Sequence, residues 1–231
     1  MKISIIIPTY NEEGRIVKLL DYLQQHAGTE NYEIIVVDGQ STDHTAKKVR
    51  EAGFPCLVSS KKGRAAQMNA GAEYTDGEIL YFVHADTIPP KTFIQDIHNA
   101  ISKGHESGCY RFAMNSNKWL LKINSWFTRF NRLICRGGDQ TLFVKREVFQ
   151  KLDGFKDYEI MEDFELIRRL RYRNTFTVMQ KDVIVSDRKY QNNNYLKVNL
   201  INLVIFTMFI CGASHETMVH AYRNLIHETR F

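Results

Sequence analysis

Within its first 83 residues the chain alternates four short apolar runs with three segments of helical periodicity, and few folds accept that order. Residues 2–7, 33–37, 54–59 and 79–83 are nearly continuous in apolar, often β-branched side chains, the pattern of strands covered on both faces. Between them, Ile16, Leu19, Leu20 and Leu23 recur at helical spacing, which predicts a helix over 12–26 with Asn11 as its N-cap. Ser41 or Thr42 can cap a second helix, and a third is predicted over 65–74. A β-α-β-α-β-α-β order calls for a mostly parallel central sheet with right-handed crossovers and flanking helices. In such a sheet the strand ends line the crevice where ligands bind.

Beyond Pro89 and Pro90 the rhythm changes. Helices are expected near 91–103, 117–134, 147–152 and 162–172, and strands near 108–113, 140–145 and 175–185. Helices near 193–211 and 214–227 make a helical C-terminal extension. With no internal repeat or low-complexity linker, 1–231 is expected to be one domain, its halves 1–100 and 101–231 sharing a core.

Composition narrows less than order does. A net charge of +5 suits nucleotide diphosphates, nucleic acid and anionic membrane alike. Cys56, Cys109, Cys135 and Cys211 are scattered with no C-x-x-C, which argues against zinc and a disulfide framework and for free thiols in a reducing compartment. The apolar start at 3–7 is stopped by Pro8, shorter than a signal-peptide core, and Lys197, Asn199 and Asn202 interrupt the stretch 196–213. A spanning helix needs ~20 apolar residues. The expectation is a cytoplasmic protein, with a peripheral seat at the inner face of the membrane left open.

Carboxylates stand where the strands end. Asp38 closes the second strand and can accept both hydroxyls of a ribose, or it can cap the next helix, as can Asp43. Pro8, Tyr10 and Glu12 form a turn after the first strand against which a flat base can lie, although such a turn is common in any fold. Arg64, at the first turn of a helix that also carries Asn69, suits a phosphate or an acidic sugar; a solvated arginine is the alternative. Asp86 follows the fourth strand and is placed to hold a hard divalent ion, Mg²⁺ or Mn²⁺. Glu162 and Asp163 begin a helix, where the dipole favours acids in any protein; as chemistry, Asp163 can take a proton from an attacking hydroxyl. Asp139 and Gln140 precede a strand and can bond sugar hydroxyls, and Arg188 with Lys189 can close over a diphosphate or form a solvated loop. No G-x-G-x-x-G and no P-loop motif is present, which argues against NAD and P-loop sites.

Taken in order, the segments Ile5-Ile6-Ile7-Pro8-Thr9-Tyr10-Asn11-Glu12-Glu13, Val36-Val37-Asp38-Gly39-Gln40-Ser41-Thr42-Asp43, His84-Ala85-Asp86 and Gly154-Phe155 with Glu162-Asp163 resemble an inverting family 2 glycosyltransferase of GT-A fold over roughly residues 2–190. Gly63-Arg64-Ala65-Ala66-Gln67-Met68-Asn69, His84-Ala85-Asp86-Thr87 and Gly138-Asp139-Gln140 resemble a small bacterial branch of it. The resemblance implies a UDP- or GDP-sugar donor, nucleotide recognition by Pro8, Tyr10 and Asp38, a divalent cation on Asp86 and base catalysis by Asp163. Two departures stand out: His84 occupies the first position of the family's D-x-D, and the Q-x-x-R-W of processive members is replaced around Ser186-Asp187-Arg188-Lys189-Tyr190. The acceptor stays open, a lipid-linked one included. Sugar-phosphate nucleotidyl transfer and non-catalytic nucleotide-sugar binding are the rival readings, and no nucleic-acid motif appears.

Trp119, Leu120, Ile123, Trp126, Phe127, Phe130, Leu133 and Ile134 fall on one helical stripe, with Lys118, Lys122, Arg129 and Arg132 off it. That pattern fits a core-facing helix with a basic outer face, or a surface that meets anionic lipid. Residues 200–210 fit core, a homodimer contact or a membrane-facing helix.

Overall fold

In the computed structural model, residues 1–114, 125–186 and 195–225 are described. Eight strands form one sheet in the order β3-β2-β1-β4-β7-β6-β8-β5. The strands are β1 (Ile3–Thr9), β2 (Tyr32–Asp38), β3 (Cys56–Val58), β4 (Ile79–Phe82), β5 (Thr87–Ile88), β6 (Ser107–Met114), β7 (Leu142–Lys145) and β8 (Phe176–Val185). The helices, numbered in chain order, are α1 (Ile16–Ala27), α2 (Thr45–Glu51), α3 (Arg64–Tyr74), α4 (Phe93–Ser102), α5 (Arg146–Lys151), α6 (Glu162–Arg171), α7 (Tyr195–Ile210) and α8 (His215–Leu225).

The parallel expectation holds through β3-β2-β1-β4; beyond β4 the sheet is mixed, with β7 antiparallel to both β4 and β6 and β6 parallel to β8. β5 is too short for periodicity to reveal, and it pairs antiparallel with the end of β8. The period-2 pleat sends alternate residues of β1 and β2 to opposite faces. Ile3, Ile5, Ile7, Ile34 and Val36 pack with α1 and α4. Ile6, Ile35 and Val37 pack with α3, α5 and α6. A third, smaller core joins α7 and α8 to the start of α6 through Ile160, Ile201, Ile205, Phe209, Met218 and Val219.

The expected helix over 117–134 is corrected in its described part. Only 125–127 is helical, followed by a turn and a 3-10 turn at Leu133–Cys135. The cause is Arg136, whose buried guanidinium donates to the carbonyls of Thr128 and, at 2.7 Å, Phe130, drawing them out of the helical ladder. The portion with Lys118, Trp119, Leu120, Lys122 and Ile123 lies outside the described residues.

α3 sits so close to the sheet that a Cβ on Gly71 would lie 2.4 Å from Ile6 Cγ2 and 3.0 Å from Val37 Cγ2. Gly71→Ala is therefore expected to destabilise the fold by about 2 kcal/mol, the upper overpacking cost of ~3 kcal/mol less the ~1 kcal/mol that alanine gains in a helix. A melting temperature that holds or rises would show that α3 can move off the sheet freely.

Candidate active site

The site begins where β1 and β2 end level, Thr9 opposite Asp38. Pro8 is tolerated inside β1 because the pairing with β4 stops at Ile6 and Phe82, so no partner there needs its missing N–H. The chain leaves β1 through Tyr10, half-buried, and Asn11, held in the left-handed region at φ 54°. It leaves β2 through Gly39 and Gln40, the latter at φ 66°. Non-glycine residues held there mark a loop constrained by its surroundings.

Hydrogen bonds lace the two loops together. Thr42 N–H donates to Asn11 Oδ1 at 2.8 Å, Asn11 N–H to Ser41 Oγ at 2.9 Å, and Glu12 N–H to Thr45 Oγ1 at 2.8 Å. Asn11 is thus a loop tie and not a helix cap; α1 starts after Arg15 with no side-chain cap. Ser41 does not cap α2 either. Its N–H and hydroxyl donate to Asp38 at 2.9 and 2.5 Å, while Asp43 accepts the Thr45 N–H at 2.9 Å. Asp38 is only 2 % exposed and holds this turn. Beneath both strand ends, Gln67 of α3 donates to the carbonyls of Thr9 and Val37, each at 2.7 Å.

Charge gathers on the neighbouring strand end. His84 and Asp86 follow β4, and the pairing of β5 with β8 brings Ser186 N–H to Asp86 O at 3.2 Å. Arg15 donates to Ser186 Oγ at 3.2 Å, so the start of α1 closes the same corner. From across the sheet, α6 presents Glu162 and Asp163 in its first turn, after Met161 in the left-handed region at φ 66°. Arg64, 49 % exposed, pairs with Glu162 Oε1 through Nε at 3.0 Å, out of line for a hydrogen bond. Glu162 itself is 1 % exposed.

One guanidinium feels all of these acids. Glu162 first, against the opposing effect of burial, and then Asp163, Asp139 and Asp86 raise the Arg64 pKa. These four carboxylates come from the loop after β4, the turn before β7 and the head of α6. Burial and then the charge of Glu162 push the Asp163 carboxyl up to about 8; Arg64 pulls it down and Asp139 adds to the rise. The N-terminal dipole of α6 favours the ionised form, so desolvation and the like charge outweigh it here. Burial, then Arg64, hold the His84 imidazole down at about 4, with Asp139 pulling the other way, so it is neutral at pH 7.

Other sequence candidates have different occupations. Asn69 donates to Phe155 O at 2.8 Å and accepts from Phe155 N–H at 3.0 Å, so its amide ties the Gly154–Phe155 turn to α3. Gln140 is fully buried; its amide accepts from Cys109 Sγ and donates to Cys135 O at 2.7 Å, which corrects its expected place against a sugar. Asp139 beside it is exposed. Glu12 is half-buried at the mouth of the lacing, and Arg188 and Lys189 lie outside the described residues. Three residues at the site carry no signal in the sequence for the places they take: Thr9, whose buried Oγ1 has no hydrogen-bond partner among the described residues, Gln67 and Arg15. A glutamine on an otherwise small and apolar helix face is the one exception. A cleft of about 380 Å³ between α4 and β8 shares no residue with this group, and its Asp96 and Lys181 are already paired at 2.7 Å.

Among the described residues no three His, Cys, Asp or Glu side chains form a protein-only metal cage. Asp86 is a hard oxygen donor, half-buried, and it fits an Mg²⁺ or Mn²⁺ ion whose shell is completed by phosphate oxygens and water.

A sequence model for "Glycosyl transferase family 2" matches residues 4–172. The chain is 28 % identical over 162 residues to a dolichol-phosphate mannosyltransferase of Pyrococcus furiosus, an alignment covering 68 % of this chain and 44 % of that protein. The chain thus spans less than half the length of this curated relative. Among solved structures, Staphylococcus aureus TarS 1–349 with UDP-GlcNAc superposes with a TM-score of 0.66 at 18 % identity, covering 97 % of this chain and 71 % of that one. Mannosyltransferase PcManGT from Pyrobaculum calidifontis, in complex with GDP-Man and Mn²⁺, gives 0.65 at 19 % identity, covering 96 % and 69 %.

Proposed function

The chain belongs to glycosyl transferase family 2 and has the GT-A architecture, and from that premise we propose that it moves one sugar, with inversion, from a UDP- or GDP-activated donor to a hydroxyl acceptor. The observation that carries this reading is the convergence of Asp86, Asp139, Glu162 and Asp163 on Arg64. Tyr10 and Pro8, with Glu12 at the loop mouth, receive the nucleotide, and Asp38 fixes the turn against which it lies. Asp163 accepts the acceptor's proton while the acceptor oxygen forms its bond to the anomeric carbon from the face opposite the breaking bond to phosphate. The diphosphate leaves with the electron pair of that bond. Glu162 keeps Asp163 basic, and Arg64 keeps two adjacent carboxylates from repelling each other apart. A divalent ion on Asp86 would supply positive charge to the departing diphosphate.

Similar structures, one in complex with UDP-GlcNAc and one with GDP-Man and Mn²⁺, support a nucleotide-sugar donor and a divalent ion without choosing the base. A panel of UDP- and GDP-sugars, scored for hydrolysis and for thermal stabilisation with and without Mn²⁺, tests the proposal. One donor class is expected to raise the melting temperature by several degrees and to be slowly hydrolysed. No shift and no turnover with any nucleotide sugar would refute it.

A further inference from the structure

α7 is mostly apolar, with Lys197, Asn199, Asn202 and Thr207 as its polar interruptions, yet its buried residues fall on one stripe. Its inner stripe, Ile201, Ile205 and Phe209, lies on Ile160, Met161 and Phe164, with Arg168 of α6 over the Phe209 ring at 4.6 Å. The opposite stripe is open: Leu200 is 62 % exposed and Leu203 51 %, and Ile210 continues it. Contiguous exposed apolar side chains of this kind normally mark a surface that meets protein or lipid.

A second apolar feature adjoins it. Leu133 packs against the same core as α7, and Arg171 of α6 donates to Asn131 O at 2.9 Å, so the segment 126–134 and α7 both rest on α6. There Trp126, Phe127 and Phe130 stand exposed, their ring centroids 4.9–6.3 Å apart, with Arg129 against the Trp126 ring. Charge is distributed to match. No Asp or Glu occurs between Glu106 and Asp139, or between Asp187 and Glu216, and those two stretches hold nine Lys and Arg. The chain's net charge is only +5, so the rest of the chain is net acidic. Of the described basic residues in those stretches, Arg129, Arg132 and Lys197 are exposed, while Arg136 is buried and Arg111 is paired with Asp182. Exposed aromatic and aliphatic side chains with such basic neighbours are the makings of a face that sinks into the headgroup layer of an anionic bilayer.

We propose that the open face of α7 and the 126–134 aromatic cluster form a single docking surface for an anionic lipid bilayer. Among the described residues no helix is long and apolar enough to cross a membrane, and the proposed contact lays α7 along the headgroup layer. The inner face of α7 touches Met161 and Phe164, which flank Glu162 and Asp163, so the bilayer surface would lie about one helix diameter, ~10 Å, from the carboxylates. This deepens the transfer reading, on which it rests for one point only: an acceptor hydroxyl carried by a lipid headgroup would arrive at Asp163.

Flotation with vesicles of phosphatidylcholine alone, or of phosphatidylcholine and phosphatidylglycerol in equal parts, tests the docking without donor or turnover. The wild-type protein is expected to float with the anionic vesicles at least about tenfold better than with the neutral ones, and less at high salt. Leu200→Glu with Leu203→Glu, both at exposed positions, and separately Trp126→Ser with Phe127→Ser, are each expected to reduce flotation about tenfold while leaving the thermal melt and nucleotide binding unchanged. Failure to float, equal flotation with both vesicle types, or full flotation of both variants would overturn the proposal. So would a wild-type dimer that the α7 variant dissociates without any effect on vesicles, since the face would then join two copies of the chain. Flotation can fail while donor hydrolysis succeeds, so the two proposals fall separately.

Discussion

Asp163→Asn is expected to lower kcat/KM for sugar transfer by about 10²–10⁴-fold, the usual worth of a positioned general base, while nucleotide affinity stays within about twofold. Asparagine keeps the shape of the side chain and removes only its capacity to take a proton. The pH profile of the wild-type enzyme gives an independent reading of the same group. Burial and the adjacent Glu162 raise the Asp163 carboxyl to about 8, so below that pH it is mostly protonated and cannot act as a base. The logarithm of kcat/KM should therefore climb as pH rises and level off above about 8, whereas an ordinary aspartate would give a flat profile from pH 5.5 upward. Glu162→Gln removes the like charge and should shift the ascending limb to lower pH. A flat wild-type profile, or an Asp163→Asn variant that turns over normally, would remove Asp163 from the chemistry.

β1, β2 and β4 are legible because their apolar runs are buried on both faces, and the helices between them because each buries one face; the edge strand β3 is only partly buried and shorter than its apolar run. What escaped the sequence depended on contacts far apart in the chain. The 117–134 stripe looked helical, but Arg136 takes its carbonyls, a tertiary bond no local pattern announces. Gln140 and Asn69 carried motif resemblance and turned out to hold backbone turns, because an amide serves either purpose and only burial separates them. Asp38, Asp86 and Asp163 were legible as acids at strand and helix ends. The pKa shift of Asp163 was not, since it arises from desolvation and the charge of Glu162 once α6 is packed on the sheet beside α3.

Asp86→Ala should abolish most of the gain in nucleotide-diphosphate affinity that Mn²⁺ confers on the wild-type protein, a gain expected at about a hundredfold by calorimetry against an EDTA control. Two unit charges ~4 Å apart at an effective dielectric of ~20 attract by about 4 kcal/mol, and a dication facing a diphosphate by more. Stripping water from the ion and the carboxylate offsets much of it, and a hundredfold corresponds to about 3 kcal/mol. Equal affinity in EDTA and in Mn²⁺ would exclude Asp86 as a ligand. His84 gives this corner its particular balance. As a neutral imidazole it adds no charge beside Asp86, where a second carboxylate would strengthen the hold on a cation but join the acids already raising Asp163. His84→Asp should therefore tighten Mn²⁺-dependent nucleotide binding and move the ascending limb of kcat/KM to higher pH. A variant that gains affinity with no change in the pH profile would show that the metal corner and the base act independently.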